Sequence, residues 1–320
     1  MGGSNNILIM EQINCINCCE SSDTVVITAS DILYDLHGEF TMVRCNQCGL
    51  HRTNPRPSAN NILDYYPKNY SPFIGTRLTP SLRKTTRVSA FTKLYRKLID
   101  FKSHALPKIP NGKALEIGCA SGSYMHKLKM LNWEVEGIEV DYDSALYAKQ
   151  LGFHVQISSL EKAIISSNSY DLIVAWMVME HVHEPLEVLK KLNLASKENS
   201  YFVFSVPNIS CWQFKFFGKY WYPLQLPTHL FHYDKGSISR LLKDSGWEME
   251  KCFYQRTIDD VFLSFALFLK SKGFIKFSDC IMNFIRKSLV LRIVNYPLSY
   301  LFSIIGQTGR MTIWAKKVSN

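Results

Sequence analysis

Leu115-Glu116-Ile117-Gly118-Cys119-Ala120-Ser121-Gly122-Ser123 runs from an apolar stretch into a cluster of small residues and on into a helix-forming segment. Small side chains at such a strand-to-helix turn let the backbone approach a ligand closely. The free N–H groups at the helix start then favour a carboxylate or phosphate. Twenty-one residues past Gly118, the run Val135-Glu136-Gly137-Ile138-Glu139 ends on an acid. An acid at the tip of a second strand is placed to accept hydrogen bonds from ribose hydroxyls. Together these features point to a nucleoside cofactor. The dinucleotide fingerprint G-x-G-x-x-G is not matched, which argues against NAD.

Outward from this turn, apolar runs alternate with helical patterns. Ala114–Ile117, Glu134–Val140, His154–Ile157, Asp171–Trp176 and Tyr201–Val206 read as strands, with helices around Tyr124–Leu131, Asp143–Leu151 and Pro185–Leu194. This alternation predicts an α/β fold whose parallel sheet is covered on both faces. Asp234 reads as an N-cap for a helix closed by Gly246, and Trp247–Tyr254 and Met311–Lys316 as two final strands. Between those two strands lies an apolar, mostly helical insertion, about residues 261–309.

The glycine turn resembles the first motif of class I S-adenosylmethionine-dependent methyltransferases, with Ala120 in place of the middle glycine. Tyr170–Val174 followed by Met179-Glu180-His181-Val182 resembles the fourth strand and its following turn, and Ser205-Val206-Pro207-Asn208 the end of the fifth. Pro227–Tyr233 before a helix ending in Ser245-Gly246-Trp247 is similar to a group found in sugar and polysaccharide pathways. Members of that group carry an N-terminal C-x-x-C pair and a second pair followed by Gly-Leu, as Cys45 to Leu50 do here. The resemblance implies a Rossmann-like seven-stranded sheet, with Glu116, Gly118, Cys119, Ala120 and Gly122 around the methionine portion of the cofactor. It places Glu139 on the ribose, Ser159 and Leu160 beside the adenine, and Trp176 and Met177 at the pocket wall, although either of the last two also suits a core position.

Cys15-x-x-Cys18 and Cys45-x-x-Cys48 have the spacing of two knuckles that close a tetrahedral zinc site, with Cys19 an alternative to Cys18. Four thiolates leave no open position, so such an ion is structural; an iron–sulfur cluster or free thiols are the other readings. The domain expectation is a zinc-ribbon-like module at 1–60, a linker with a basic amphipathic helix at 61–110, and the methyltransferase domain at 111–320. His181, His229 and His232 are candidate general bases, since imidazole titrates near neutrality; each also suits a structural role. Glu180-His181 resembles a metal-assisted turn of quinone-pathway methyltransferases, but Met177 stands where that pattern has a further acid. Catalytic magnesium is therefore not expected.

Of the net charge of +10 among 320 residues, nearly all lies between Arg77 and Lys113, where ten basic residues face Asp100 alone. Such a patch attracts phosphates or serves as a solvated face. The insertion adds Lys270, Lys272, Lys276, Arg286, Lys287 and Arg292 among long apolar runs. That composition suits an interfacial helix on an anionic bilayer, a lid over the active site or a homodimer contact. Nine cysteines without a secretory pattern place the chain in the cytoplasm, with the inner membrane face as a peripheral location.

The leading functional expectation is O-methylation of a sugar or lipid-linked glycan intermediate. An RNA methyltransferase is the second reading, though no Asn-Pro-Pro-Tyr motif or catalytic cysteine pair supports it. A non-catalytic zinc-containing scaffold is the third, and a quinone or phenol methyltransferase a minor fourth.

Overall fold

The structure, a computed structural model, describes residues 10–67 and 105–318. The basic amphipathic helix expected in the linker falls among residues 68–104, outside the described residues. The chain's strands are β1 (Met10–Glu11), β2 (Asp23–Ala29), β3 (Phe40–Cys45), β4 (His51–Thr53), β5 (Arg56–Pro57), β6 (Lys113–Ile117) and β7 (Glu134–Glu139). They continue with β8 (His154–Ile157), β9 (Tyr170–Trp176), β10 (Ser196–Pro207), β11 (Phe231–His232), β12 (Trp247–Tyr254) and β13 (Arg310–Lys317).

Seven of these form the central sheet in the order β12-β13-β10-β9-β6-β7-β8. Strands β6 to β10 run parallel, and β13 inserts antiparallel between β10 and β12. The fold is therefore mixed α/β with a mostly parallel seven-stranded sheet. Chain order runs outward from β6 to β8, then jumps back to β9 on the other side of β6. That reversal opens a crevice at the carboxyl ends of β6 and β9, the place where ligands bind in open α/β sheets.

Helices α1 (Ser123–Met130), α2 (Tyr142–Gln150) and α3 (Pro185–Ala195) fill the parallel crossovers. Helix α3 shows why: Val188, Leu189, Leu192 and Ala195 recur at helical spacing and are buried, while Pro185 occupies the first turn, where no N–H is needed. After β10 come the short α4 (Trp212–Phe217) and α5 (Lys235–Lys243). Asp234 caps α5 through its carboxylate, which accepts from the Ser237 N–H at 2.6 Å, and the Asp234 N–H donates in turn to the Ser237 hydroxyl oxygen.

The insertion between β12 and β13 is α6 (Asp259–Ser271), α7 (Ile275–Lys287) and α8 (Leu289–Ile304). Buried Leu263, Ala266 and Leu267 of α6 pack on Met282 and Ile285 of α7. Asp260, at the start of α6, takes a bidentate bond from Arg310 at 2.9 and 3.1 Å, which ties the insertion to the first residue of β13.

Residues 10–66 do not stand apart from the central sheet. A four-stranded antiparallel sheet runs β11-β4-β3-β2, so its edge strand comes from residues 231–232. Phe40, Met42 and Tyr65 share a core with Ile209, Trp221, Leu224 and Leu226. Arg56 donates to Glu11, to the His183 carbonyl at 2.8 Å and to Glu184. A module expected simply in front of the methyltransferase domain is thus built into it, because its edge strand and part of its core come from residues 209–232.

Candidate functional site

At the tip of β6, Gly118 has φ +66° and Gly122, the N-cap of α1, φ +79°. A Cβ on Gly118 would stand 2.6 Å from Val178 Cγ2, so only glycine lets this turn pass the loop after β9. Ala120 also lies in the left-handed region, at φ +44°. For a residue with a Cβ that costs about 1–2 kcal/mol. Its N–H is held by Glu139 Oε2 at 2.7 Å, and the other carboxylate oxygen accepts from the Asp141 N–H at 2.8 Å. A charge-assisted bond contributes roughly 1.5–3 kcal/mol, enough to offset the strain. Glu139 therefore does more than the sequence suggests: it holds the glycine turn in shape while each oxygen keeps a second lone pair.

Glu116 and Glu139 are both buried. Burial raises the Glu116 carboxyl well above the usual carboxylate range, and the Glu139 charge adds to the effect. Burial likewise raises Glu139, against the pull of the backbone N–H groups of Asp141, Ala120 and Val140. Oε2 of Glu116 has no hydrogen-bond partner. An orphaned carboxylate oxygen beside a second acid is a fitting place for a cationic group, as a methionine-derived ammonium is.

The other sequence-derived cofactor positions surround this turn unevenly. Cys119 is buried, and its Sγ lies 2.7 Å from where a Cβ on Gly137 would stand. Leu160 packs in the main core, while Ser159 is half-buried just past β8. Trp176 ends β9 with its ring edge-on to Tyr124, centroids 5.1 Å apart. Met177 has φ +57° and donates its N–H to the Ser205 carbonyl, which links the ends of β9 and β10.

Across the crevice, a 3-10 turn carries Glu180 and His181. His181 Nδ1 lies 2.9 Å from the Thr228 carbonyl and 2.9 Å from the Tyr66 hydroxyl. His229 Nδ1 lies 2.8 Å from the Pro223 carbonyl. The two rings meet edge to face with centroids 4.6 Å apart. Burial pushes His181 down to about 4, and burial with the two neighbouring histidines pushes His229 well below its usual range, so both are neutral near pH 7. Both Glu180 oxygens are buried without a hydrogen-bond partner, and burial raises its carboxyl to about 8. His232, on β11 and paired with His51 of β4, has its ring centroid 6.3 Å from that of His229.

Two of these features were not legible as site elements in the sequence. Tyr66, just before Pro67, lies 115 residues along the chain from the ring it touches. Burial raises its hydroxyl, as do the charges of Glu180 and then Glu139. His229 is held by the N-terminal sheet: its carbonyl accepts from Thr53 Oγ1 at 2.7 Å, and the next residue's N–H donates to the Glu180 carbonyl at 2.8 Å.

The four cysteines of the two knuckles also converge. Their sulfurs lie within 4.8 Å of one another, with Cys15–Cys48 at 3.3 Å and Cys18–Cys45 at 3.5 Å. Four thiolates about 2.3 Å from one ion stand about 3.8 Å apart, so the donor set fits zinc. Both knuckles close on backbone bonds, Cys19 N–H to the Cys15 carbonyl and Gly49 N–H to the Cys45 carbonyl. Cys18 joins the cluster and Cys19 is exposed. Burial opposes ionisation of Cys45, but the N–H groups of Cys48 and Gln47 outweigh it and bring the thiol down to about 7. Cys15 and Cys18 move the other way, raised by burial.

A mostly parallel seven-stranded sheet closed by an antiparallel hairpin, with a glycine turn after β6 and an acid at the end of β7, defines the S-adenosylmethionine-dependent methyltransferase fold. A methyltransferase domain family matches residues 90–251, half of the chain, and the chain belongs to that family. No curated protein matches the sequence. Among solved structures, it is similar to an S-adenosylmethionine-dependent methyltransferase of Thermotoga maritima at 14% identity, with 72% of this chain and 97% of that one covered and a TM-score of 0.47. A methyltransferase of Mesorhizobium loti aligns at 12% identity, 72% and 99% coverage and TM-score 0.46. One from Archaeoglobus fulgidus aligns at 18% identity, 70% and 92% coverage and TM-score 0.44. The assignment rests on the family match and the sheet.

Proposed function

We propose that the protein transfers the methyl group of S-adenosylmethionine to an oxygen of a sugar or a lipid-linked glycan intermediate. The observation that carries this reading is the pair of neutral imidazoles, His181 and His229, beside the Tyr66 hydroxyl and across the crevice from the glycine turn. A hydroxyl acceptor must lose a proton as it attacks, and a neutral imidazole lone pair is suited to that near pH 7.

The turn Gly118–Gly122 with Glu116 would hold the methionine end of the cofactor and Glu139 its ribose, with Ser159 and Leu160 toward the adenine. Bound S-adenosylmethionine supplies a methyl group already activated on a sulfonium. The chain's own task is alignment of the acceptor and exclusion of water. Cys15, Cys18, Cys45 and Cys48 would hold one structural zinc ion, which fixes the small sheet that supports His229.

A lipid-linked acceptor draws support from the insertion. Phe274, Phe277, Phe284, Val290, Val294 and Leu301 are exposed there, and residues 272–309 carry five basic residues against Asp279 alone. An apolar face with such a charge excess suits an anionic lipid surface. No helix among the described residues is long and apolar enough to cross a membrane.

Calorimetric titration with S-adenosylhomocysteine tests the cofactor. Micromolar binding is expected, weakened about tenfold or more in Glu139→Ala. Labelled methyl transfer to nucleotide sugars and to polyprenyl-phosphate sugars then tests the acceptor. A wild-type chain that binds cofactor but methylates RNA instead would move the acceptor to nucleic acid. A folded chain that binds no cofactor would leave a scaffold.

A further inference from the structure

The exposed apolar residues of the insertion follow helix geometry. Along α8 and its C-cap, Val290, Val294, Leu298, Leu301 and Ile305 recur every three or four residues, and all five are exposed. That spacing gathers them into one stripe. A surface helix ordinarily turns such a stripe inward, so an outward one marks a surface that meets a partner. On α7, Phe277 and Phe284 lie seven residues apart and are exposed as well, as is Phe274 at the N-cap.

This face does not end with the insertion. Phe302 of α8 packs on Trp212 of α4, with ring centroids 5.5 Å apart, and Trp212 meets Phe216 edge to face at 6.1 Å. Phe216 is 74% exposed. On α6, exposed Phe265 stacks on Phe268, which meets Tyr220 of the 3-10 turn after α4 edge to face at 5.3 Å. Lysines stand over these rings: Lys219 Nζ is 5.5 Å from the Tyr220 centroid and Lys272 Nζ 5.8 Å from that of Phe268. Aromatic rings flanked by lysines with long apolar stems are what the headgroup layer of a bilayer accommodates. Helix α4 also opens the loop after β10 that ends on His229, so one loop serves both this face and the crevice.

Charge selects the occupant. Beside the five basic residues and single acid of residues 272–309, residues 211–224 add Lys215 and Lys219 and no acid. A second copy in a two-fold contact would set this positive face against itself, and the chain's own basic stretch Arg77–Lys113 would also bring like charge. An anionic lipid surface brings the opposite sign together with an apolar interior. Helix α8 has 16 residues, about 24 Å, short of a hydrocarbon core of about 30 Å, which suits lying along the surface. We propose that α4, α6, α7 and α8 form one docking face for an anionic bilayer, with the acceptor side of the crevice beside the lipid. A lipid-linked acceptor then reaches His229 by diffusion in the bilayer plane. The docking stands on the surface itself; the acceptor's route rests on the methyl-transfer reading.

Flotation of the full-length chain with phosphatidylcholine vesicles, with and without phosphatidylglycerol, tests the face. Binding is expected to the anionic vesicles alone, and to weaken at least about tenfold as ionic strength rises from about 0.1 M to about 1 M. Phe277→Glu on α7 and Phe216→Glu on α4 replace exposed rings, so the fold is kept, and each should weaken binding about tenfold or more. Acyl-brominated phosphatidylglycerol should quench the tryptophan fluorescence of the wild type, and Trp212→Phe should remove most of that quenching. Unchanged quenching in Trp212→Phe, or vesicle binding indifferent to Phe216→Glu, overturns the joint face. Failure to bind anionic vesicles overturns the docking, as does equal binding to both vesicle types. A dimer that Phe277→Glu converts to monomer, without vesicle binding, would give the face to a second copy. S-adenosylhomocysteine titration of the same samples keeps the two readings apart. Docking by a chain that binds no cofactor would sink methyl transfer and leave the face standing, whereas cofactor binding without docking would sink the face alone.

Discussion

At the residue scale, the buried acids and histidines set the chemistry. Glu139 accepts from two backbone N–H groups, one on each oxygen, an arrangement that favours the ionised form against its burial. In Glu139→Gln the amide nitrogen must face one of those N–H groups. Unfolding free energy should fall by about 1–3 kcal/mol in chemical denaturation without any cofactor, and an unchanged midpoint would remove Glu139 from the turn. His232 gives a pH signature. It is buried with both ring nitrogens unpartnered, and burial, with the His51 charge adding, holds it down to about 3 against an ordinary 6.5. A depressed value means the unfolded chain binds the proton more readily. The stability held by the neutral ring is complete above about pH 6.5 and is lost as pH falls toward 3. Between pH 7 and pH 5 the wild type should lose about 2 kcal/mol more than His232→Leu, measured by urea unfolding at both values. The sequence marks these residues as polar and well spaced. It carries no trace of their burial, which arises from strands packed around them.

At the element scale, the turn between β6 and α1 sits between two constraints. Gly118 needs its missing Cβ because Val178 approaches from the loop after β9. Gly118→Ala should therefore reduce both stability and cofactor affinity. Ala120→Gly is expected to act in the opposite direction, raising the unfolding free energy by about 1 kcal/mol through relief of a left-handed alanine. Thermal unfolding of the pair of variants checks both signs. Period and punctuation made most elements legible. His154–Ile157 was read to the residue, Asp234 as a cap, and the helical insertion between the last two strands in outline. The short strands β1, β5 and β11 were not, since two residues carry no periodicity and pair only because a distant partner lies alongside.

At the scale of the whole molecule, the N-terminal segment and the methyltransferase sheet hold each other. Arg56 is buried at that junction, while its carboxylate partners Glu11 and Glu184 are partly in water. Arg56→Ala should cost about 1–3 kcal/mol, mainly from the lost His183 carbonyl bond and packing rather than the screened ion pairs. It should also lower methyl-transfer activity with little change in S-adenosylhomocysteine binding, because the module bears on His229 and not on the glycine turn. The exposed apolar face of α7 and α8 gives a further expectation. The chain should co-sediment with vesicles containing anionic lipid, and Val294→Asp with Leu301→Asp should abolish this; a shift from dimer to monomer in the same variant, without vesicle binding, would assign the face to a second copy.

The sequence by itself determined the sheet, the glycine turn with its acid and the two cysteine knuckles. Each of these is written in contiguous residues whose spacing follows from strand, helix or ligand geometry. Tertiary structure alone decided that Tyr66 reaches His181, that Glu139 steadies Ala120, and that Thr53 supports His229 across 176 residues. It also decided that Glu180 is left without a partner beside two oriented imidazoles. Those relations depend on which loops the packed sheet brings to one crevice, and local pattern does not encode them.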